Sequence, residues 1–216
     1  MDNYLQQVSE VEKYLKQLKS SLAVEADSQL IQNADPIPLR ITLTREGLSH
    51  RIAELCESAL LLLQSDKPIA ASILGRAALE TVAVLSVLAR RVEEYADNAD
   101  AERLNSFLEK AALGSRNDDT QYDATNVLTY VQKMDRSYPG TQDLYLGLCE
   151  QSHPNWAGTS PYVQPNEQST RIRFGGAGTE FFMMVPAPIL VSLRLACEEY
   201  VALTELQVRI SDRSSP

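Results

Sequence analysis

Histidine and cysteine are scarce in this chain, with two His and three Cys among 216 residues. Cys56, Cys149 and Cys197 are odd in number and far apart, which excludes a disulfide framework and a zinc ribbon. All three fall on apolar faces of expected helices and read as buried thiols. His50 is the only histidine besides His153, so the Glu-x-x-His at Glu150 and His153 has no second copy, and a carboxylate-bridged metal centre would be incomplete. No metal and no cofactor is expected. The glycines at 175, 176 and 178 lack the G-x-G-x-x-G spacing and the βαβ context of a dinucleotide site, and neither a Walker A segment nor a G-x-S-x-G elbow occurs. Basic residues are outnumbered, 20 against 29 acidic ones, giving a net charge of −9. That balance disfavours a broad nonspecific nucleic-acid footprint and a polybasic membrane face, but leaves room for a small basic pocket. The opening MDNYLQQVSE carries no signal-peptide pattern, and the expected compartment is the cytoplasm.

What the chain has in quantity is apolar helical periodicity. Residues 1–26 contain an amphipathic helix whose seam of Tyr4, Val8, Val11, Leu15, Leu18 and Leu22 is spaced 4, 3, 4, 3, 4. So narrow a seam suits one partner helix, either from a second chain, making the segment the arm of a homodimer, or from its own bundle. Residues 27–44, with Asp35-Pro36-Ile37-Pro38, read as an extended linker. Residues 45–216 read as one helical domain. Helices are expected over about 45–64, 68–95, 100–113, 120–136, 142–152 and 187–211. A β-hairpin or long loop is inserted at about 157–185, where Gly, Pro, Thr and aromatics dominate. The fold class is all-α, a bundle of six to seven helices with that insertion. The run Pro68–Ala89 is the most apolar stretch, interrupted only by Arg76 and Glu80, and it is expected at the bundle's centre.

Those two charges are the first candidates for chemistry. Ser72, Arg76 and Glu80 stand four apart, in one stripe of a helix. Arg76 and Glu80 are either a register-fixing intrahelical pair or an anion-binding Arg oriented by its carboxylate. Glu150 and His153, three apart near a helix end, can share a face with Tyr145 and Cys149 on the neighbouring stripe. His153 is then a helix-terminal imidazole favoured by the dipole, or an acid–base group tuned by Glu150. Asn155 and Trp156 lie at the exit from that helix, and Trp156, the only tryptophan, is a packing anchor or part of a ligand platform. Arg171 and Arg173 alternate on an expected strand and share a side. They are a solvated face or a further part of the ligand site.

The Arg-x-x-x-Glu on an apolar helix, followed by Cys149-Glu150-x-x-His153-Pro154-Asn155 at a later helix end, resembles a group of uncharacterised bacterial all-α proteins that are distantly similar to HEPN domains. The resemblance covers residues 45–210. HEPN domains occur in RNases, toxins and phage-defence proteins, and their RNases carry an Arg, four intervening residues and a His late in the fold. Leu148 stands where that Arg would be. Arg45 and His50 have the spacing, but on an early helix with Glu46 at an apolar position, and are read as chance. The resemblance therefore implies a domain without a complete catalytic motif, binding an anionic ligand or a nucleotide-bearing partner at Arg76, Glu80, Glu150 and His153. One alternative is a metal-independent ribonuclease in which His153 moves protons and Arg76 contacts the phosphate of an RNA. Another is a structural or oligomerisation module. No membrane partner is expected.

Overall fold

Pro68 to Asn98 forms a single long helix in the computed structural model of the protein, which describes residues 2–25, 36–115, 121–122, 126–165 and 170–214. Around this helix, α3, the others are arranged in chain order. They are α1 (Asp2–Ser21), α2 (Pro36–Gln64), α4 (Ala101–Leu113), α5 (Val127–Asp135), α6 (Thr141–Ser152), the short α7 (Trp156–Thr159) and α8 (Thr179–Met184), and α9 (Pro186–Ser214). A two-stranded antiparallel hairpin, β1 (Val163–Pro165) and β2 (Ile172–Phe174), is inserted between α7 and α8. The architecture is thus an all-α bundle with an inserted hairpin.

The centre of the bundle follows from α3's composition. Ala78, Leu79, Val82, Ala83, Leu85 and Leu88 are fully enclosed. α2 and α9 flank α3 along much of its length, and α4, α5 and α6 close its other sides. α3 and the stretch Thr179–Asp212 are both long and apolar enough to cross a membrane by length and composition, and two thirds of the α3 window is covered by the protein itself.

Several boundaries differ from expectation for identifiable reasons. The linker expected over 27–44 is helical from Pro36 onward, while 27–35 lies outside the described residues. Pro36 and Pro38 sit in the first turn, where backbone N–H groups have no intrahelical acceptor, so neither proline breaks the ladder. The extra turns bury Ile37 and Ile41. α5 begins at Val127 rather than near 120, because the Asn126 side chain caps it by accepting from the Leu128 N–H at 3.0 Å. The expected Thr141 cap of α6 is replaced by Gly140, at φ +96°, and by Asp135, whose Oδ1 accepts from the N–H groups of Gly140 and Gln142. The bonds from Gln142 and Gly140 hold the Asp135 carboxyl below its usual range. Within the chain, the α1 seam packs on its own bundle: Val11, Leu15 and Leu18 are buried, mainly against α9 and also against α2.

A buried polar network locks α1, α2 and α9 together. Arg45 is 8% exposed. Its guanidinium pairs with Glu46 Oε1 at 2.8 Å, donates to Thr204 Oγ1 and Gln207 Oε1, and lies 4.7 Å from the Tyr200 ring centre. The Tyr200 hydroxyl bridges Glu46 Oε1 and the Ser21 carbonyl, and Glu46 Oε2 accepts from the Ala23 N–H. His50 meets the Ala23 carbonyl through Nε2 at 2.9 Å. Arg45 and His50 are therefore both engaged in holding the end of α1.

The two Arg–Glu pairs should differ in worth. Glu46→Ala leaves a buried guanidinium short of its counter-charge and is expected to cost roughly 3–5 kcal/mol. The Arg76–Glu80 pair has side chains 31% and 25% exposed, so Glu80→Ala is expected to cost only about 0.2–1 kcal/mol after screening. Urea denaturation of the two variants checks the order.

Candidate functional site

The residues expected to converge divide into two groups. Arg76 Nε donates to Glu80 Oε1 at 3.0 Å, and its guanidinium lies 5.8 Å from the ring centre of Tyr145 on α6. Cys149 adjoins the same group and is hydrogen-bonded to Tyr145. Burial, then that bond and the charge on Glu80, push the Tyr145 phenol up to about 12, which leaves it un-ionised at neutral pH. One turn earlier on α3, Ser72 donates to Gln151 Oε1. The α6 residues facing this stripe are thus Tyr145, Cys149 and Gln151.

Glu150 and His153 are turned elsewhere. Both are exposed, and neither side chain makes a hydrogen bond or ion pair with Arg76 or Glu80 among the described residues. Glu150 Oε2 accepts from Asn155 Nδ2 at 2.8 Å, and Asn155 Oδ1 caps α7 by accepting from the Gly158 N–H. His153 is the C-cap of α6, in extended backbone conformation. The four residues are therefore not joined by hydrogen bonds or ion pairs into one cluster among the described residues. Tyr145 of α6 is buried toward α3, whereas the Glu150 side chain is exposed and turns to Asn155. The Glu-x-x-His-Pro-Asn segment instead builds a tight reversal from α6 into α7. Trp156 opens α7 and is 77% exposed, so it does not anchor packing. Arg173 pairs across the hairpin with Gln164, on the face opposite Val163, Pro165, Ile172 and Phe174, and Arg171 precedes β2. Both arginines are exposed.

The concentration of positive charge lies at the other end of α3. A cavity of about 540 Å³ opens between α3, α4 and α5. Arg91 of α3, Arg103 and Lys110 of α4 and Lys133 of α5 line it, together with Phe107 and the buried Tyr130, whose rings meet edge to face at 6.1 Å. Asp100 and Glu102 complete the polar lining. The local structure explains the gathering. Asp100 Oδ1 caps α4 by accepting from the Arg103 N–H, which fixes the turn carrying Arg103 toward α3. Glu94 Oε2 holds both arginines, at 2.5 Å from Arg91 and 3.4 Å from Arg103, so two cations share one carboxylate. Neither Lys110 nor Lys133 has an ion-pair partner among the described residues. Burial, then the charges of Arg91, Arg136 and Arg103, lower the Lys133 ammonium pKa, with Glu94 opposing. This is the response of an ammonium that is partly desolvated, with the neighbouring guanidinium charges adding to the effect.

A second cleft, of about 360 Å³, lies between α3, the α5–α6 turn and α9, with Arg90, Tyr138 and Glu199 in its wall. Glu199 is 7% exposed. Burial raises its pKa, and the Tyr138 hydroxyl and Arg90 only partly offset that. Among the described residues no group of three or more His, Cys, Asp or Glu gathers to hold a metal ion.

Arg91, Arg103, Lys110 and Lys133 were not singled out from the sequence. Read singly, each is a solvated charge near the end or on the polar face of a helix. The one available signal was Arg90-Arg91 closing the apolar run of α3. Family models, curated proteins and solved structures contain no match to this chain.

Two outcomes are expected here. A Cβ on Gly158 would stand 2.0 Å from the His153 carbonyl oxygen, so Gly158→Ala must open the α6–α7 reversal and is expected to cost about 1–3 kcal/mol in thermal unfolding. For Glu199, the folded carboxyl sits above its unfolded value, so its favourable contribution is complete below the unfolded pKa and is lost as pH rises through the folded pKa. Glu199→Gln should therefore raise the melting temperature at pH 7, with the difference vanishing in acid. An equal shift at all pH values would contradict this.

Proposed function

We propose that this chain is a non-catalytic, HEPN-like helical domain that binds a small anionic ligand, and that the ligand occupies the cavity between α3, α4 and α5. The observation that carries this reading is the set of four cationic side chains, against the two carboxylates of Asp100 and Glu102, around one cavity in a chain whose net charge is −9. Like charges are not brought together without cost. Arg91 and Arg103 share a single carboxylate, and Lys110 and Lys133 have none in an ion pair among the described residues. An anion entering the cavity supplies the missing counter-charge, with charge-assisted hydrogen bonds from guanidinium and ammonium groups. Phe107 and Tyr130 add an apolar wall, as small-molecule sites commonly have. Arg76 supports the reading less well, because Glu80 already neutralises it. A binding role is favoured over the ribonuclease alternative because Leu148 replaces the catalytic Arg and the His153 ring makes no hydrogen bond among the described residues.

Calorimetric titration with inorganic pyrophosphate at low ionic strength tests the proposal. Binding should weaken as salt is added. Lys133→Ala and Arg103→Ala should each weaken it by about tenfold, in line with losing one charge-assisted contact, while Arg76→Ala should leave it unchanged. Loss of binding in Arg76→Ala alone would move the site to the α3–α6 face. No binding by the unaltered protein would end the anion reading.

A further inference from the structure

Lys133 occupies an unusual position for a surface-helix lysine. It lies on α5, one turn after the buried Tyr130, and lines the same cavity as Arg91 and Arg103. Charged groups reach this region from every element packed there: Arg91 and Glu94 from α3, Arg103, Glu102 and Lys110 from α4 with Asp100 at its cap, and Arg136 from the turn after α5. Arg91 and Arg103 both lean on Glu94, which leaves no carboxylate in an ion pair with Lys133 among the described residues. A lysine partly withdrawn from water, with guanidinium groups beside it, holds its proton less tightly. The free amine is the nucleophilic form. Its pKa is lowered chiefly by burial, then by Arg91, Arg136 and Arg103. Of the other lysines, Lys110 shares the cavity.

We infer that Lys133 is a covalent capture site for small anionic carbonyl compounds: its ε-amine forms a Schiff base with an aldehyde or ketone whose anionic group rests against Arg91, Arg103 and Lys110. This rests on the cavity being an anion site. The Lys133 nitrogen lone pair forms a bond to the carbonyl carbon, and the carbonyl π pair moves to oxygen, which takes up a proton. The resulting carbinolamine loses that oxygen as water while nitrogen loses its proton and forms the C=N bond. Amine and carbonyl thus become imine and water, with no oxidant or reductant required. Tyr130 and Ser106 are among the cavity's lining residues, and a hydroxyl of this kind can deliver the proton to the departing oxygen. The anion anchor makes the encounter effectively intramolecular, which favours Lys133 over equally exposed amines.

Pyridoxal 5′-phosphate, an aldehyde carrying a phosphate, is a suitable probe for the full chain. Borohydride reduction at short times, followed by peptide mass mapping, should place the first label on Lys133, at least about tenfold ahead of Lys13, Lys16, Lys19 and Lys67. Inorganic pyrophosphate should slow that label selectively. Arg136 is exposed and outside the cavity lining. Arg136→Ala should therefore slow labelling at neutral pH and restore it at higher pH, because removing a cation raises the amine's pKa; a merely structural effect would not move the pH profile. Labelling spread evenly over the lysines overturns the inference, as does Lys133 labelling that pyrophosphate does not slow. If calorimetry still detects pyrophosphate while Lys133 is not preferred, the covalent step alone fails. If neither is seen, the anion site fails with it.

Discussion

A helix that is apolar nearly all round must be covered nearly all round, and the remainder of this fold is arranged to meet that demand for α3. Each large aliphatic side chain it encloses, such as Leu79, Leu85 and Leu88, contributes about 1.5–3 kcal/mol by leaving water. Exposure of any one side of α3 would forfeit several such terms together. Among the described residues the main partners of α3 are α2 and α9, with α4, α5 and α6 closing its other sides. The small residues Ala71, Gly75, Ala78 and Ala83 are buried in these contacts, and at Gly75 an added Cβ would already be in contact with Ile189 of α9. Close approach of this kind leaves few voids and fixes how the neighbours cross.

Polar groups are placed around this constraint in two ways. Where a charge lies beneath a covering helix, it is fully engaged. Arg45 and Glu46 meet Tyr200, Thr204 and Gln207 of α9 and the backbone just after α1, so one network fastens three helices. Where a charge lies at the edge of a covered face, as with Arg76 and Glu80, an intrahelical pair and solvent suffice. Buried networks of the first kind contribute to a unique arrangement more than to net stability, because desolvation offsets much of the Coulomb gain.

The α3–α4–α5 cavity departs from this economy. The α3–α4 corner is closed by Asp100 as a cap, and the α5 start by Asn126, so the walls are set by ordinary capping. Inside them, cations outnumber the acids that pair with them, and Lys133 responds with a lowered affinity for its proton. Cationic side chains thus gather in one region of a protein that is acidic as a whole. Field lines converge on such a concave site, where low-dielectric walls limit screening.

The sequence by itself determined the helical class, the central place of α3, the hairpin insertion and most helix ends. These depend on interactions within a few residues: 3.6-residue periodicity, a capping side chain, a proline in a first turn. It misread 36–44 as linker because a proline pair signals a break unless it falls in the first turn, where no hydrogen bond is lost. It grouped Glu150 and His153 with Arg76 because all three are polar residues near apolar helices; which face of α6 meets α3 was left open by spacing alone, and Tyr145 and Cys149 took that face. Arg45–Glu46 and Arg76–Glu80 look alike as neighbouring opposite charges, yet only the first is buried, because α9 and the residues after α1 lie over it. The cationic cavity was decided by tertiary structure alone. Arg91, Arg103, Lys110 and Lys133 come from three helices, and their common field exists only once α4 and α5 are folded against α3, since Coulomb interactions depend on distance through space and not on separation along the chain.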